Sequence, residues 1–246
     1  MNWTILHLYP ELMSLYGEYA NLSVLRRLLE DLGGTVTVKT ATFEDTPDFA
    51  GVDLIYMGAG TERSQKAVLT DLERYAAELK QAVAGRALLL FTGNAMEVLG
   101  ASVTDAAGKV WPGLHLADFT TVETDRRTPQ DVIAASTLWE APTVGFMNKC
   151  SVTSGIETPL FSALSMGFGN EAEGGSEGYA AGNVLATHIT GPVLVKNPAF
   201  LQYVAARLYG SRGAELPVLP EDAPWRVHAR RAYEVTCAEL SDRLGK

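Results

Sequence analysis

One short stretch, residues 87–100, constrains the fold more strongly than any other. Five apolar residues run directly into Thr92-Gly93-Asn94, and a helical pattern starts there without an intervening loop. A buried parallel strand that turns sharply into a helix has this form. The residue at the apex of such a turn adopts strained backbone angles, which glycine reaches without a steric penalty. Gly93 is the predicted apex, so the sequence predicts the backbone of a nucleophile elbow without a nucleophilic side chain.

Composition excludes several classes of protein. The chain has 246 residues, of which 47% are hydrophobic and 20% charged, as expected for a globular protein with one substantial core. A formal net charge of -9 disfavours a nucleic-acid partner. The chain lacks both the basic start of a signal peptide and an apolar run of about 20 residues, so we expect no membrane insertion. Cys150 and Cys237 fit no metal or redox spacing. We expect a cytoplasmic protein without a metal or a cofactor.

The first hundred residues alternate between strand and helix patterns. Strands are predicted at 4–8, around Val36 and Val38, at 53–57 and at 87–91, with helices at 21–32 and 64–83. This alternation is typical of an α/β fold with a doubly wound, mostly parallel sheet. Ligands of such sheets bind at the carboxyl ends of the strands. The glycine loop at 58–60 and the elbow should therefore border one crevice.

The second half has a different character. Short β-like runs separated by turns fill residues 101–156, which predicts a β-rich insertion in the same domain. A further strand at 183–188 and a helix at 198–208 complete this domain, predicted to span residues 1–210. Pro217 and Pro220 mark a linker to an amphipathic helix at 224–244, so residues 211–246 form a linker and a C-terminal helical tail. The acidic loop at 171–177 fits no metal-binding template.

A series of short motifs occurs along the chain in one order. They are the segment 12–21, Gly-Ala-Gly-Thr-Glu-Arg-Ser-Gln at 58–65, Gly-Asn-Ala-Met-Glu-Val-Leu-Gly at 93–100, Gly-Leu-His-Leu-Ala-Asp-Phe at 113–119, Arg127, Val-Gly-Phe-Met-Asn at 144–148, Gly-Phe-Gly-Asn at 167–170 with Glu-Gly at 177–178, and Ala-Thr-His-Ile-Thr-Gly-Pro with a later Lys-Asn within 186–197. With these motifs the chain resembles the CobB/CobQ-like class I glutamine amidotransferases. Within them it is most similar to the GatD group, the glutaminase subunits of lipid II isoglutaminyl synthase. The resemblance extends over residues 3–210.

The resemblance implies the flavodoxin-like fold of class I glutamine amidotransferases and a partner, a MurT-like ATP-dependent ligase that receives ammonia. It places the family's catalytic cysteine at Gly93 and its catalytic histidine at Thr190, and it places a glutamine of the elbow helix at Glu97. Both catalytic residues are therefore replaced. It also implies oxyanion or substrate-binding roles for a set of positions, namely Gly58, Ala59, Gly60, Asn94, Arg63 and Arg127. The alternatives are a surface cap or ion pair for Arg63 and a solvated charge for Arg127.

Substitutes for the missing groups are few. A class I glutaminase needs a cysteine thiolate and a histidine that activates it. Thr92 adjoins the apex but should point to the opposite face of its strand. His188 lies two residues before Thr190, so its ring should face the crevice as a possible substitute histidine. Cys150 is the candidate for a relocated nucleophile, although an ordinary buried thiol is the simpler interpretation.

Three functional hypotheses remain. The first is a degenerate, GatD-like subunit that lacks glutaminase activity and acts with a MurT-like ligase in the amidation of peptidoglycan glutamate. The second is a non-catalytic module that binds glutamine or a similar small metabolite. The third is a hydrolase or transferase that uses a relocated nucleophile such as Cys150.

Overall fold

The computed structural model describes residues 1–171, 175–219 and 222–245. The strands in chain order are β1 (Asn2–Leu8), β2 (Thr35–Ala41), β3 (Leu54–Met57), β4 (Leu88–Thr92), β5 (Ser102–Thr104), β6 (Val110–Pro112), β7 (Thr120–Ala135), β8 (Thr143–Ser154), β9 (Ala163–Met166), β10 (Tyr179–Ala181) and β11 (Val184–Thr187). The α-helices are α1 (Tyr19–Asp31), α2 (Glu62–Leu72), α3 (Ala76–Gly85), α4 (Val193–Lys196), α5 (Pro198–Gly210) and α6 (Pro224–Leu244). Short 3-10 helices occupy Leu15–Gly17, Glu73–Tyr75 and Gly93–Leu99.

The central sheet has six strands in the order β10-β11-β4-β3-β1-β2, and all its pairs are parallel except β10 with β11. Side chains of its inner strands alternate between two cores. Tyr56 and Leu90 belong to one core, whereas Ile55 and Leu89 belong to the other. A strand covered on both faces must be apolar throughout, which is why β4 reads as an unbroken apolar run. The predicted doubly wound α/β fold is confirmed.

Helix α1 shows how sequence pattern determines packing in this layer. Leu22, Leu25, Leu28 and Leu29 are its buried apolar face, and each contributes about 1.5–3 kcal/mol by leaving water. The helix ends at Asp31, and Gly33 follows with a φ of +77°, which favours glycine. In the sequence, the pair Gly33-Gly34 marks this end of the helix.

The prediction of a single long helix over residues 64–83 is wrong. The chain forms α2 and α3 with a 3-10 turn, Glu73–Tyr75, between them. Tyr75 leaves the helical region, with φ -116° and ψ 15°, while its side chain packs against the core. No glycine or proline marks this break, so tertiary packing overrides a helical pattern that is continuous in the sequence.

The β-rich insertion forms a second sheet in the order β6-β5-β7-β8, with β9 paired to β7. Strands β7 and β8 are antiparallel and pair over most of their length. The register of this hairpin shifts between Glu123 and Thr128. Such irregularities bend a strand and redirect its side chains. The Phe146–Thr190 bridge ties the hairpin to the segment after β11.

The C-terminal helix α6 lies where the sequence predicted it. Tyr233 donates a hydrogen bond to the carbonyl of Pro142 (2.6 Å), and Arg243 pairs with Asp131 (2.7 Å). Pro220, the second predicted linker residue, lies outside the described residues. The domain boundary at residue 210 stays a prediction. In the part of the chain that the structure describes, no helix combines the length and the hydropathy that a bilayer crossing needs.

His7 should make stability depend on pH. It is 6% exposed on β1, and burial lowers its pKa from 6.5 to about 4. Between these values the unfolded chain binds more protons than the folded one, so the free energy of unfolding should fall as pH drops from 6.5 to 4. The expected loss is about 3 kcal/mol. Urea unfolding at several pH values measures it, and His7→Leu should flatten the dependence.

His228→Leu is the matched control, because His228 is exposed on α6. This variant should keep the pH dependence of the wild type. Equal slopes for the wild type and His7→Leu would contradict the assignment.

Candidate active-site cavity

A cavity of about 180 Å³ opens at the carboxyl ends of β3 and β4, where the sequence predicted a crevice. Its wall comes from the loop after β1, the glycine loop, the elbow, the β7–β8 hairpin and the segment after β11. The lining residues are Leu15, Tyr16, Ala59, Gly60, Thr61, Glu62, Gly93, Asn94, Glu97, Glu123, Arg127, Asn148, Lys149, Cys150, Ser151, His188 and Thr190.

The elbow has the predicted backbone. Gly93 follows β4 directly with φ +63°, and the 3-10 helix Gly93–Leu99 starts at this residue. A Cβ atom on Gly93 would lie 2.4 Å from the Cβ of Ala59 and 3.0 Å from its Cα. Real Cβ atoms do not approach each other so closely. The methyl group of Ala59 therefore occupies the space in which a side chain at the apex would begin.

The glycine loop and the elbow are joined by two hydrogen bonds. The Gly60 N–H donates to Asn94 Oδ1 (2.9 Å), and Asn94 Nδ2 donates to the Gly60 carbonyl (3.0 Å). The Gly60 N–H, one of the predicted oxyanion donors, is thus already paired. Gly58 does not line the cavity, and a Cβ there would lie 2.7 Å from both Glu18 Cβ and the Met13 carbonyl oxygen. Gly58 therefore permits close packing beneath the loop.

Thr190, at the position that the resemblance assigns to a histidine, binds a buried carboxyl group. Its hydroxyl donates to Glu18 Oε1 (2.5 Å), and the Gly191 N–H donates to the same oxygen (2.9 Å). Thr92 donates to Glu18 Oε2 and does not line the cavity, in agreement with its predicted orientation. Burial raises the pKa of Glu18, while these hydrogen bonds act in the opposite direction.

His188 lines the cavity, as its position two residues before Thr190 predicted. It is 2% exposed, and its Nδ1 lies 3.0 Å from Glu177 Oε1. Its Nε2 lies 3.5 Å from Glu97 Oε1, beyond the usual hydrogen-bond length. The ring is held between two carboxylates, and Gly93 offers it no nucleophile to activate.

Glu97 gathers several donors beside His188. It accepts hydrogen bonds from the Ser151 hydroxyl and from Gln65 Nε2 (2.6 Å). Burial alone would raise the pKa of Glu97, but the contacts with His188, Ser151 and Gln65 outweigh it and hold the pKa below its usual value. A carboxylate with a low pKa is a weak base for the Ser151 hydroxyl.

Arg127 reaches the cavity rim from the irregular part of β7. Its guanidinium forms an ion pair with Glu62 and donates to the Asn148 carbonyl (3.3 Å). The Cys150 thiol lies 3.3 Å from Glu62 Oε1. Burial, together with the nearby Glu62 carboxylate, raises the pKa of Cys150 to about 11. A thiol with this pKa is almost entirely protonated at neutral pH and is a poor nucleophile.

Not every predicted residue reaches the cavity. Arg63 is exposed on α2 and lines a neighbouring shallow groove beside Lys66 and Trp111. The expectation that Arg63 contacts a ligand in this crevice is therefore not supported, because the preceding residue, Glu62, takes the inward position. No local pattern in the sequence distinguishes Glu62 or Glu18 as a site residue, because the burial of a charged side chain leaves no local signal.

No group of three or more His, Cys, Asp or Glu side chains with the geometry of a metal site occurs within residues 1–171, 175–219 and 222–245. Residues 172–174 of the acidic loop lie outside these ranges.

The model of the CobB/CobQ-like glutamine amidotransferase domain matches residues 4–198. The chain belongs to this family. The family resemblance read from the motifs is thereby confirmed, and most of the elements that surround the cavity fall within the matched residues.

Two relatives share much of the chain, and both are GatD subunits of lipid II isoglutaminyl synthase (glutamine-hydrolyzing). The Streptococcus pneumoniae subunit is 28% identical over 196 residues, which are 78% of this chain and 75% of that protein. The Staphylococcus aureus subunit is 25% identical over 219 residues, which are 89% of this chain and 88% of that protein. A crystal structure of a glutamine amidotransferase aligns with a TM-score of 0.55 at 13% identity, covering 82% of this chain and 98% of that chain. This last likeness shows the fold alone.

Cys150 should resist alkylation. With a pKa of about 11, its thiolate fraction at pH 8 should be roughly a hundredfold below that of an ordinary thiol. Mass spectrometry after iodoacetamide treatment should show slow labelling of Cys150, and Glu62→Gln should speed it by removing the adjacent carboxylate. Rapid labelling of Cys150 in the wild type would restore the hypothesis of a relocated nucleophile.

Proposed function

We propose that this chain is a GatD-like subunit that has lost glutamine hydrolysis and acts with a MurT-like, ATP-dependent ligase in the amidation of lipid II glutamate. We place this complex in the cytoplasm, where ATP is available. The similarity to two GatD subunits over most of the chain supports the assembly and the pathway. The cavity geometry supports the loss of glutaminase chemistry.

The observation that carries the proposal is the contact between Ala59 and Gly93. A thioester route needs a thiolate at the apex of the elbow. The space for that side chain is filled by a methyl group from the facing loop, because a Cβ on Gly93 would lie 2.4 Å from the Ala59 Cβ.

The proposal predicts the nitrogen source of the complex. The chain, co-purified with its ligase partner, should amidate lipid II with ammonium and ATP but not with glutamine and ATP. Ammonia release from glutamine, measured for the chain alone and for the complex, should be absent. A glutamine-dependent rate equal to the ammonium-dependent rate would refute the proposal. In that case, a diazo-ketone analogue of glutamine would locate the nucleophile by mass spectrometry.

The Ala59–Gly93 contact also predicts a stability pattern. Gly93→Cys alone should lose about 2 kcal/mol or more, because it adds a Cβ against Ala59 at a residue with positive φ. Ala59→Gly combined with Gly93→Cys should recover much of this loss. Thermal and urea unfolding of both single variants and the double variant measure the coupling. Additive effects would show that the two residues do not compete for one space.

A small-metabolite binding module is the second candidate. Two buried atoms in the cavity wall, Asn148 Oδ1 and His188 Nε2, have no hydrogen-bond partner among the described residues. Buried polar atoms without partners are unusual and are commonly satisfied by a ligand or by water. Calorimetric titration with glutamine, glutamate and other small amino acids tests this candidate, and an absence of binding would remove its support.

A further inference from the structure

The charges that line the cavity are unevenly distributed. Three carboxylates, Glu62, Glu97 and Glu123, belong to its wall. Arg127 is the one guanidinium among the described lining residues. A carboxylate-bearing ligand is best held by a guanidinium, which can donate two parallel hydrogen bonds. Recognition of such a ligand in this cavity therefore depends on Arg127.

The nearby lysines do not offer an alternative. Lys149 is buried and its Nζ donates to the carbonyls of Gly169 (2.6 Å) and Asn170 (3.1 Å), behind the wall. Lys66 forms an ion pair with Glu123. Both ammonium groups are thus directed to groups of the protein itself.

Arg127 is engaged as well. Its Nη2 contacts Glu62 Oε1, and its Nη1 donates to the Asn148 carbonyl at 3.3 Å. Helix α2 fixes the position of Glu62, because Glu62 is its first residue and directly follows the N-cap residue Thr61. A carboxylate in the first turn is also favoured by the helix dipole. The pair therefore joins the start of α2 to the irregular segment of the β7–β8 hairpin across the mouth of the cavity.

We propose that Glu62 is a built-in carboxylate ligand of Arg127, and that this internal pair makes the cavity reject small carboxylates, free amino acids included. The proposal concerns the same cavity as the proposed function and rests on it. It identifies Glu62 as the residue that determines which ligands the cavity accepts. A ligand carboxylate must displace Glu62 from Arg127 and must also enter beside Glu97 and Glu123.

Physical chemistry favours the internal pair over a dissolved competitor. The side chains of Arg127 and Glu62 are 44% and 35% exposed, so their attraction alone is modest. Both groups nevertheless belong to one folded chain, which gives the pair a high effective concentration. Glu97 in the same small cavity also repels an anion through a medium less polar than water, whereas the charge of Glu123 is offset by its ion pair with Lys66.

The test compares carboxylate binding in the wild type and in variants of the full chain. Acetate and L-glutamine are titrated into the wild type, Glu62→Gln, Arg127→Gln and the double variant, with NMR or calorimetry as the readout. Glu62→Gln should bind acetate at least about tenfold more tightly than the wild type, which corresponds to about 1.4 kcal/mol. The double variant should return to the wild-type value, because the freed guanidinium is gone. Glu62→Ala provides a second way of freeing Arg127 and should act in the same direction.

Glu123→Gln is the matched control. It removes the same charge from the same wall but leaves the Glu62–Arg127 pair intact, so acetate binding should stay within about threefold of the wild type. Unchanged acetate affinity in both Glu62 variants would overturn the proposal, as would an equal gain in Glu123→Gln. Neither result bears on ammonia release from glutamine, so the proposed function and this inference can fail separately.

Discussion

The buried carboxyl group of Glu18 holds the core of the site together. It is fully buried and contacts donors from four parts of the chain: Asn21 in α1, Tyr56 in β3, Thr92 at the end of β4, and Thr190 with Gly191 after β11. A carboxyl group in such surroundings is costly unless hydrogen bonds replace its hydration. The four segments must therefore converge for Glu18 to be buried. Their convergence brings the glycine loop, the elbow and the segment after β11 to one place.

Three groups that the resemblance assigns to a glutaminase centre make structural contacts in this protein. The apex of the elbow packs against Ala59, and Thr190, at the position that the resemblance assigns to a histidine, binds Glu18. The Gly60 N–H is paired with Asn94. Each of these contacts satisfies packing or hydrogen bonding within the protein, so none of the three groups is left free for a substrate. The cavity nevertheless persists, because the sheet and the β7–β8 hairpin that form it do not depend on catalytic side chains.

Much of the fold could be predicted from the sequence, because its signals are local. The apolar run of β4, the Gly-Gly end of α1 and the order of the motifs were each visible within a few residues. The 3-10 break at Glu73–Tyr75 was missed, since it comes from packing of Tyr75 and no helix-breaking residue marks it. Hydrogen bonds between distant residues also leave no local pattern in the sequence. Gly60 and Asn94 are 34 residues apart, and Glu18 and Thr190 are 172 residues apart. Whether Arg63 or Glu62 faces the cavity depends on the rotation of helix α2 about its axis. The periodicity of the sequence alone does not determine that rotation.

The contact between Ala59 and Gly93 has a consequence for the history of the chain. Starting from the present sequence, a mutation that introduces cysteine at the apex meets the methyl group of Ala59 and should lower stability before any activity can return. A glycine at position 59 must come first, although by itself it offers no catalytic advantage and leaves a small void. A cysteine at position 93 is therefore not enough to rebuild an active elbow, because Ala59 occupies its space and Thr190 stands where the resemblance places the histidine.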